Sequence, residues 1–172
     1  MFLNKIKNFW SKKNVKKRLS EVKHTDSNNK IKKVGLIIDE VYFNDKVKLI
    51  QELTLNGILP SDIEFIAFRD TIKKNEIFDY SVFSNKDMSW NETFATQQAN
   101  DFIAKKFDLL ISYYDVEKAP LMLMTLHSKA DFKVGFSSVD KRLNQFMIDT
   151  NAENYKVFIN ELFKYLKILN KL

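Results

Sequence analysis

At 172 residues without a cysteine, the chain has the size of one domain able to bury its own core, and disulfides, thiolate zinc sites and cysteine nucleophiles are excluded. The +6 net charge is uneven: residues 1–33 carry eleven Lys/Arg against Glu21 and Asp26, a net +9, while the other 17 basic and 20 acidic residues leave −3. No apolar run approaches the ~20 residues of a membrane span, and the lysine-broken N-terminus lacks the apolar core of a secretory signal, which predicts a cytoplasmic protein.

The first predicted element is a basic amphipathic helix. Phe2, Leu3, Ile6, Phe9 and Trp10, then Val15, Leu19 and Val22, recur at helical spacing, while Lys5, Lys7, Lys12, Lys13, Lys16, Lys17 and Arg18 fill the other positions. His24 to Lys30 reads as a polar linker, so residues 1–32 form an arm and 33–172 a domain. Three fates compete for the arm. It packs on its own domain or on a second copy, as charged faces usually do. It lies on an anionic membrane surface, which would place the protein peripherally at the inner membrane. Or it makes nonspecific phosphate contacts with nucleic acid, the least favoured because no base-reading module accompanies it.

The body alternates strands and helices. Lys33 to Asp39 is an apolar run of the kind buried on both sheet faces. Asn44 or Asp45 caps a helix with Val47, Leu49, Ile50, Leu53 and Thr54 inward, which Gly57 ends as a left-handed cap before Pro60. Ile63–Phe68 and Tyr80–Ser84 are the second and third strands, Thr96–Lys106 a helix, and Phe107–Tyr114 the fourth strand. Pro120 opens a helix through Ala130 with Leu123, Leu126 and Ala130 on one face. Phe132–Phe136 is the fifth strand, Phe146–Asp149 a short sixth, and a long helix runs from Ala152 with Tyr155, Phe158, Leu162, Leu166 and Leu169 in step. The pattern predicts an α/β fold: a three-layer, Rossmann-like, mainly parallel sheet of about five strands in an order such as 3-2-1-4-5, with a basic N-terminal helix and a long C-terminal one.

Several chemistries are excluded. Gly35 and Gly135 lie inside strands and Gly57 ends a helix, leaving no glycine for a phosphate loop. His24 and His127 cannot build a metal site together, and no nucleophile elbow is present. Neither a metal nor a cofactor is expected. Ile37-Ile-Asp-Glu40 and Phe107 to Tyr113 are similar to response-regulator receiver strands, but Tyr113 stands where the phosphorylated aspartate would, so phosphotransfer is rejected.

Ligands of open parallel sheets bind beyond the carboxyl ends of the strands, where the order reverses. That brings Asp39 and Glu40 beside Ser112, Tyr114 and Asp115, with Arg69 after the second strand and Asp140 and Arg142 after the fifth. Paired carboxylates there suit acid–base work or a cation; the competing and favoured reading is that strand ends are polar because they leave the core. Trp90, in the loop Asp87-Met-Ser-Trp90, is either a partner anchor or a cover for the sheet edge.

Lys33 to Asp39, Asp87 to Trp90, Phe107 to Tyr114, Ser128 to Phe136, Asp140 to Asn144 and Tyr165 to Asn170 together resemble an uncharacterised family of short proteins from flavobacteria and relatives, a domain of unknown function that implies no catalytic residues. Asp108 to Ile111 and Lys133 to Phe136 are also similar, to a lesser degree, to the N-terminal, acceptor-receiving half of heptosyltransferase-type glycosyltransferases, which implies a shared fold with lost or altered activity. Two functions stay open: a noncatalytic Rossmann-like binding or adaptor module for a protein or small molecule, peripheral to a membrane if the arm binds one, and a transferase or hydrolase using Asp39 and Asp115 in a carboxylate-lined cleft.

Overall fold

The computed structural model describes residues 12–20, 29–89 and 93–172. Its elements are α1 (helical residues 12–19), β1 (Val34–Asp39), α2 (Lys46–Leu55), β2 (Ile63–Arg69), β3 (Ser81–Ser84), α3 (Gln97–Ala104), β4 (Leu109–Tyr113), α4 (Ala119–His127), β5 (Phe132–Phe136), β6 (Phe146–Ile148) and α5 (Tyr155–Ile168). The six strands form one parallel sheet in the order β3-β2-β1-β4-β5-β6, one strand more than the expected five. The sixth is the short strand expected at Phe146–Asp149, which pairs with β5 through Val134–Phe146, Gly135–Met147 and Phe136–Ile148.

Alternation along the central strands sorts the core into two layers. Leu36, Ile38, Leu109, Ile111 and Val134 face α2 and α5, where Leu49, Leu53, Phe158, Ile159 and Leu162 meet them. Ile37, Ile66, Phe68 and Leu110 face α3 and α4 on the other side. Right-handed crossovers in opposite directions from β1 and β4 put α2 and α4 on opposite faces, and β1 and β4 are the neighbours between which the order reverses.

The helix α4 departs from its sequence reading. Every residue from Ala119 to Thr125 is buried, so it has no solvent face, and it stops at His127 rather than Ala130. A helix apolar all round needs cover on both sides. The sheet covers one side; Val15 and Leu19 of α1 join the same apolar layer as Leu121, Met122, Leu123 and Met124. Lys12 and Lys16 reach Glu117 just before α4 begins, and Arg18 shares a cavity with Leu126, His127 and Ser128 at its end. α1 therefore runs alongside α4 in the same direction. Of the predicted arm, Phe2, Lys5, Lys7, Phe9, Trp10 and Val22 lie outside the described residues, as does Trp90.

Element ends differ from expectation for local reasons. Asp45 occupies the start of α2, but its carboxylate takes Lys48 Nζ at 3.0 Å instead of capping an amide. Gly57 ends that helix at φ 101°, the left-handed conformation expected of it. α5 begins at Tyr155, not Ala152, because Ala152 is pinned at both backbone groups: its N–H donates to Asp115 Oδ2 at 2.9 Å and its carbonyl accepts from Tyr113 Oη at 2.7 Å. Gly135 is required by close approach, since a Cβ there would stand 2.5 Å from Asn144 Nδ2. Among the described residues, no helix is long and apolar enough to cross a membrane.

Candidate functional site

The predicted cleft residues do not converge on one cavity; the fold distributes them over four small groups and, for Asp115, the loop after β4. Alternation continues past the end of β1, so Asp39 and Glu40 point to opposite sides of the sheet.

Asp39 points toward α4 and is 2% exposed. Lys118, just before α4, places its Nζ 3.1 Å from Asp39 Oδ1 and 2.8 Å from Oδ2, and 3.4 Å from Asp70. The Oδ2 contact is one of charge without hydrogen-bond alignment. Asp39 Oδ1 also accepts the Val41 N–H at 3.0 Å. Burial raises the Asp39 carboxyl above its ordinary range, against the pull of Lys118. The Lys118 ammonium sits 4.5 Å from the Tyr42 ring centroid and 4.9 Å from that of Phe68.

Glu40 points toward α2 and stands in a second group. Lys46 Nζ pairs with Oε1, Arg69 Nε donates to Oε2 at 2.8 Å, and Tyr80 Oη donates to Oε2 at 3.1 Å. Arg69 also holds Glu76 Oε1 at 2.8 Å, and Lys46 stacks over the Tyr80 ring at 3.5 Å. Burial alone would raise Glu40; the hydrogen bonds from Lys46 and Arg69 outweigh it and hold the carboxyl below its usual range.

Asp140 and Arg142 form a third group that pairs with itself. Arg142 donates through Nε at 2.9 Å and Nη2 at 2.6 Å, holding the Asp140 carboxyl down at about 2. The flanking Val139 and Leu143 share the apolar layer of Val15 and Leu19, which puts this pair on the α1 side of the sheet. Ser112 and Tyr114 make the fourth group and lie in the interior. Strand alternation turns both beneath α4, where Thr125 Oγ1 lies 3.0 Å from Ser112 Oγ and 2.8 Å from Tyr114 Oη. Burial pushes the Tyr114 phenol well above its ordinary value. The expectation that Ser112 and Tyr114 line an open cleft is corrected by this alternation.

The loop from Asp115 to Lys118 ties these surroundings together. Asp115 accepts from the Ala152 N–H, and its carbonyl accepts from Ser138 Oγ at 2.8 Å. Glu117 takes Lys12 at 2.8 Å and Lys16 at 2.9 Å. Lys118 joins the ends of β1 and β2. Val116 is left exposed between them and lines, with Tyr42, Asp115, Asn151, Ala152 and Glu153, a cavity of about 310 Å³ beyond the carboxyl ends of the neighbouring strands β1 and β4. Lys46, Lys118, Tyr42 and Glu117 are the residues that sequence reasoning missed. The run Asp115-Val-Glu-Lys118 between an apolar strand and Pro120 was the available signal: four mostly polar residues at the carboxyl end of the strand beside β1. Among the described residues, no three His, Asp or Glu side chains gather as metal ligands.

No curated protein and no solved structure matches the chain. The model of a family of unknown function, DUF6913, matches residues 7–169, nearly the whole length, and the chain belongs to that family.

Proposed function

We propose that the chain is a noncatalytic binding module of Rossmann-like architecture, with the cavity beside Asp115 as its ligand seat. One observation carries this reading: each of the four carboxylates expected to line the cleft is already engaged inside the chain. Asp39 holds Lys118, Glu40 holds Lys46 and Arg69, Asp115 holds the Ala152 amide, and Asp140 holds Arg142. A general acid or base must exchange a proton with a bound substrate, and groups fixed in internal pairs are poorly placed to do so. The cavity is at the small end of ligand sites. Tyr42 and Val116 give it apolar walls that are 56% and 43% exposed, and Asn151 and Glu153 give it acceptors. A small molecule with an apolar face and hydrogen-bond donors suits it.

On this reading α1 is a packed part of the module. Val15 and Leu19 are buried in the domain, and Lys12 and Lys16 are engaged by Glu117, which favours packing over a membrane-bound arm. Native mass spectrometry of the full chain from its own source tests the proposal. The expected result is a small-molecule adduct on the wild type that is absent from Val116→Trp, whose larger side chain fills the cavity. A wild type without an adduct, or the same adduct on both proteins, contradicts it.

A further inference from the structure

Asn56-Gly57 is the one Asn–Gly pair in the sequence, and it stands exposed at the end of α2. Its surroundings form a complete helix stop. Ile58 N–H donates to Leu53 O at 3.2 Å and Gly57 N–H to Thr54 O at 3.0 Å, the paired bonds of a left-handed cap. Asn56 adds a side-chain bond, Nδ2 donating to Glu52 O at 2.9 Å. Ile58 is buried and anchors the cap in the core layer that α2 shares with α5.

An asparagine followed by glycine carries its own nucleophile. The Gly57 amide nitrogen, after giving its proton to hydroxide, attacks Asn56 Cγ and closes a succinimide ring. The Cγ–Nδ2 bond breaks, and Nδ2 leaves as ammonia with a proton from water. A second water opens the ring at either carbonyl, giving aspartate or its β-linked isomer, isoaspartate. Glycine crowds this ring least, and nothing lies within 4 Å of where a Gly57 Cβ would stand. The cap opposes ring closure in three ways. The ring needs Gly57 N eclipsed with Asn56 Cβ, whereas a ψ of 9° at Asn56 eclipses it with Asn56 N. The attacking amide is held by Thr54 O, and the leaving amide by Glu52 O.

We propose that Asn56 is a deamidation site gated by α2: it reacts only while the last turn of the helix is open, and the product keeps that turn from closing as before. Isoaspartate lengthens the backbone between Leu55 and Gly57, so the Gly57 and Ile58 N–H groups no longer reach Thr54 O and Leu53 O together. Aspartate puts a charge at the negative end of the helix, one turn from Glu52, and lacks the Nδ2 donor. Either product loosens the hold on Ile58. The site is a one-way record of opening at this end of α2, and it is independent of the strand-end cavity.

The full chain is incubated at mildly alkaline pH, native and in guanidinium chloride, and conversion at Asn56 is followed by peptide mapping and by methyl transfer with an isoaspartate methyltransferase. Hydrogen exchange of the Gly57 amide in the native chain measures the opening separately. Conversion is expected in both samples, slower in the native one by about tenfold or more because the cap bonds must open first. That factor should match the exchange protection of Gly57. Ile58→Val loosens the anchor with little risk to the fold; it should convert about threefold faster when native and at the wild-type rate when denatured. The converted chain should unfold at lower urea than the unconverted one. The proposal is overturned if the native chain converts as fast as the denatured one, if it stays unconverted beyond the time its amide protection sets, if native Ile58→Val converts no faster than the wild type, or if the converted chain keeps its stability.

Discussion

Replacing Lys133 with methionine should change how the fold responds to alkaline pH. Burial first, and the charge of Lys129 second, lower the Lys133 ammonium to about 8 from an ordinary value of 10.5. The folded chain therefore releases this proton near pH 8, while the unfolded chain keeps it to about 10.5. Between those values the unfolded state binds more protons, so raising the pH favours the fold. At about 1.4 kcal/mol per pH unit, the whole window is worth roughly 3 kcal/mol. Methionine fills similar space without a charge, but it leaves Thr125 O and Leu126 O without their donor, a pH-independent loss of about 1–3 kcal/mol. Urea unfolding of both proteins from pH 7 to 9.5 measures the difference, and other titrating groups cancel between them. Relative to the variant, the wild type should gain about 2 kcal/mol over that range. A difference that stays constant with pH would refute the argument, because Lys133 would then titrate as an exposed lysine does.

Three further substitutions probe other parts of the structure. Val15→Ala should cost roughly 2 kcal/mol in urea unfolding, since the side chain is fully buried against the domain; a cost under about 0.5 kcal/mol would mean that α1 is not packed there. Gly135→Ala should cost about 1–3 kcal/mol through the approach to Asn144, and the added change Asn144→Ala should recover most of it in the same assay. Asp39→Asn removes a charge that burial disfavours, keeps an acceptor for the Val41 amide and leaves Lys118 with Asp70, so thermal unfolding at pH 7 should place it within about 1 kcal/mol of the wild type. A loss well beyond that would show the ionised pair to be strongly stabilising.

The sheet was legible because β1 and β4 are short apolar runs between charges, and such runs have few alternatives to a doubly covered strand. The place of α1 was only half legible. Its amphipathic spacing is plain, but the need for it is written in α4, where Leu121-Met-Leu-Met-Thr125 leaves no polar face; reading one apolar face from Leu123 and Leu126 hid the demand for a second cover. The site was legible as a location and not as a set of partners. Alternation along β4 could have placed Ser112 and Tyr114 indoors. Nothing local pairs Asp39 with Lys118, 79 residues away, or Glu40 with Arg69, 29 away. Such pairs are fixed by the lateral order of the strands, which reveals itself only once the sheet is assembled.

The central claim is that the strand-end carboxylates are held by internal partners, and a carboxyl-carbon NMR titration of the full chain tests it most directly. Glu40 should ionise below the usual glutamate range, Asp140 near 2, and Asp39 above the usual aspartate range. Ordinary titration of Glu40 and Asp140 would mean that Lys46, Arg69 and Arg142 do not hold them, and ordinary titration of Asp39 would mean that it is not buried; together these would leave free carboxylates in a cleft and contradict the binding-module account.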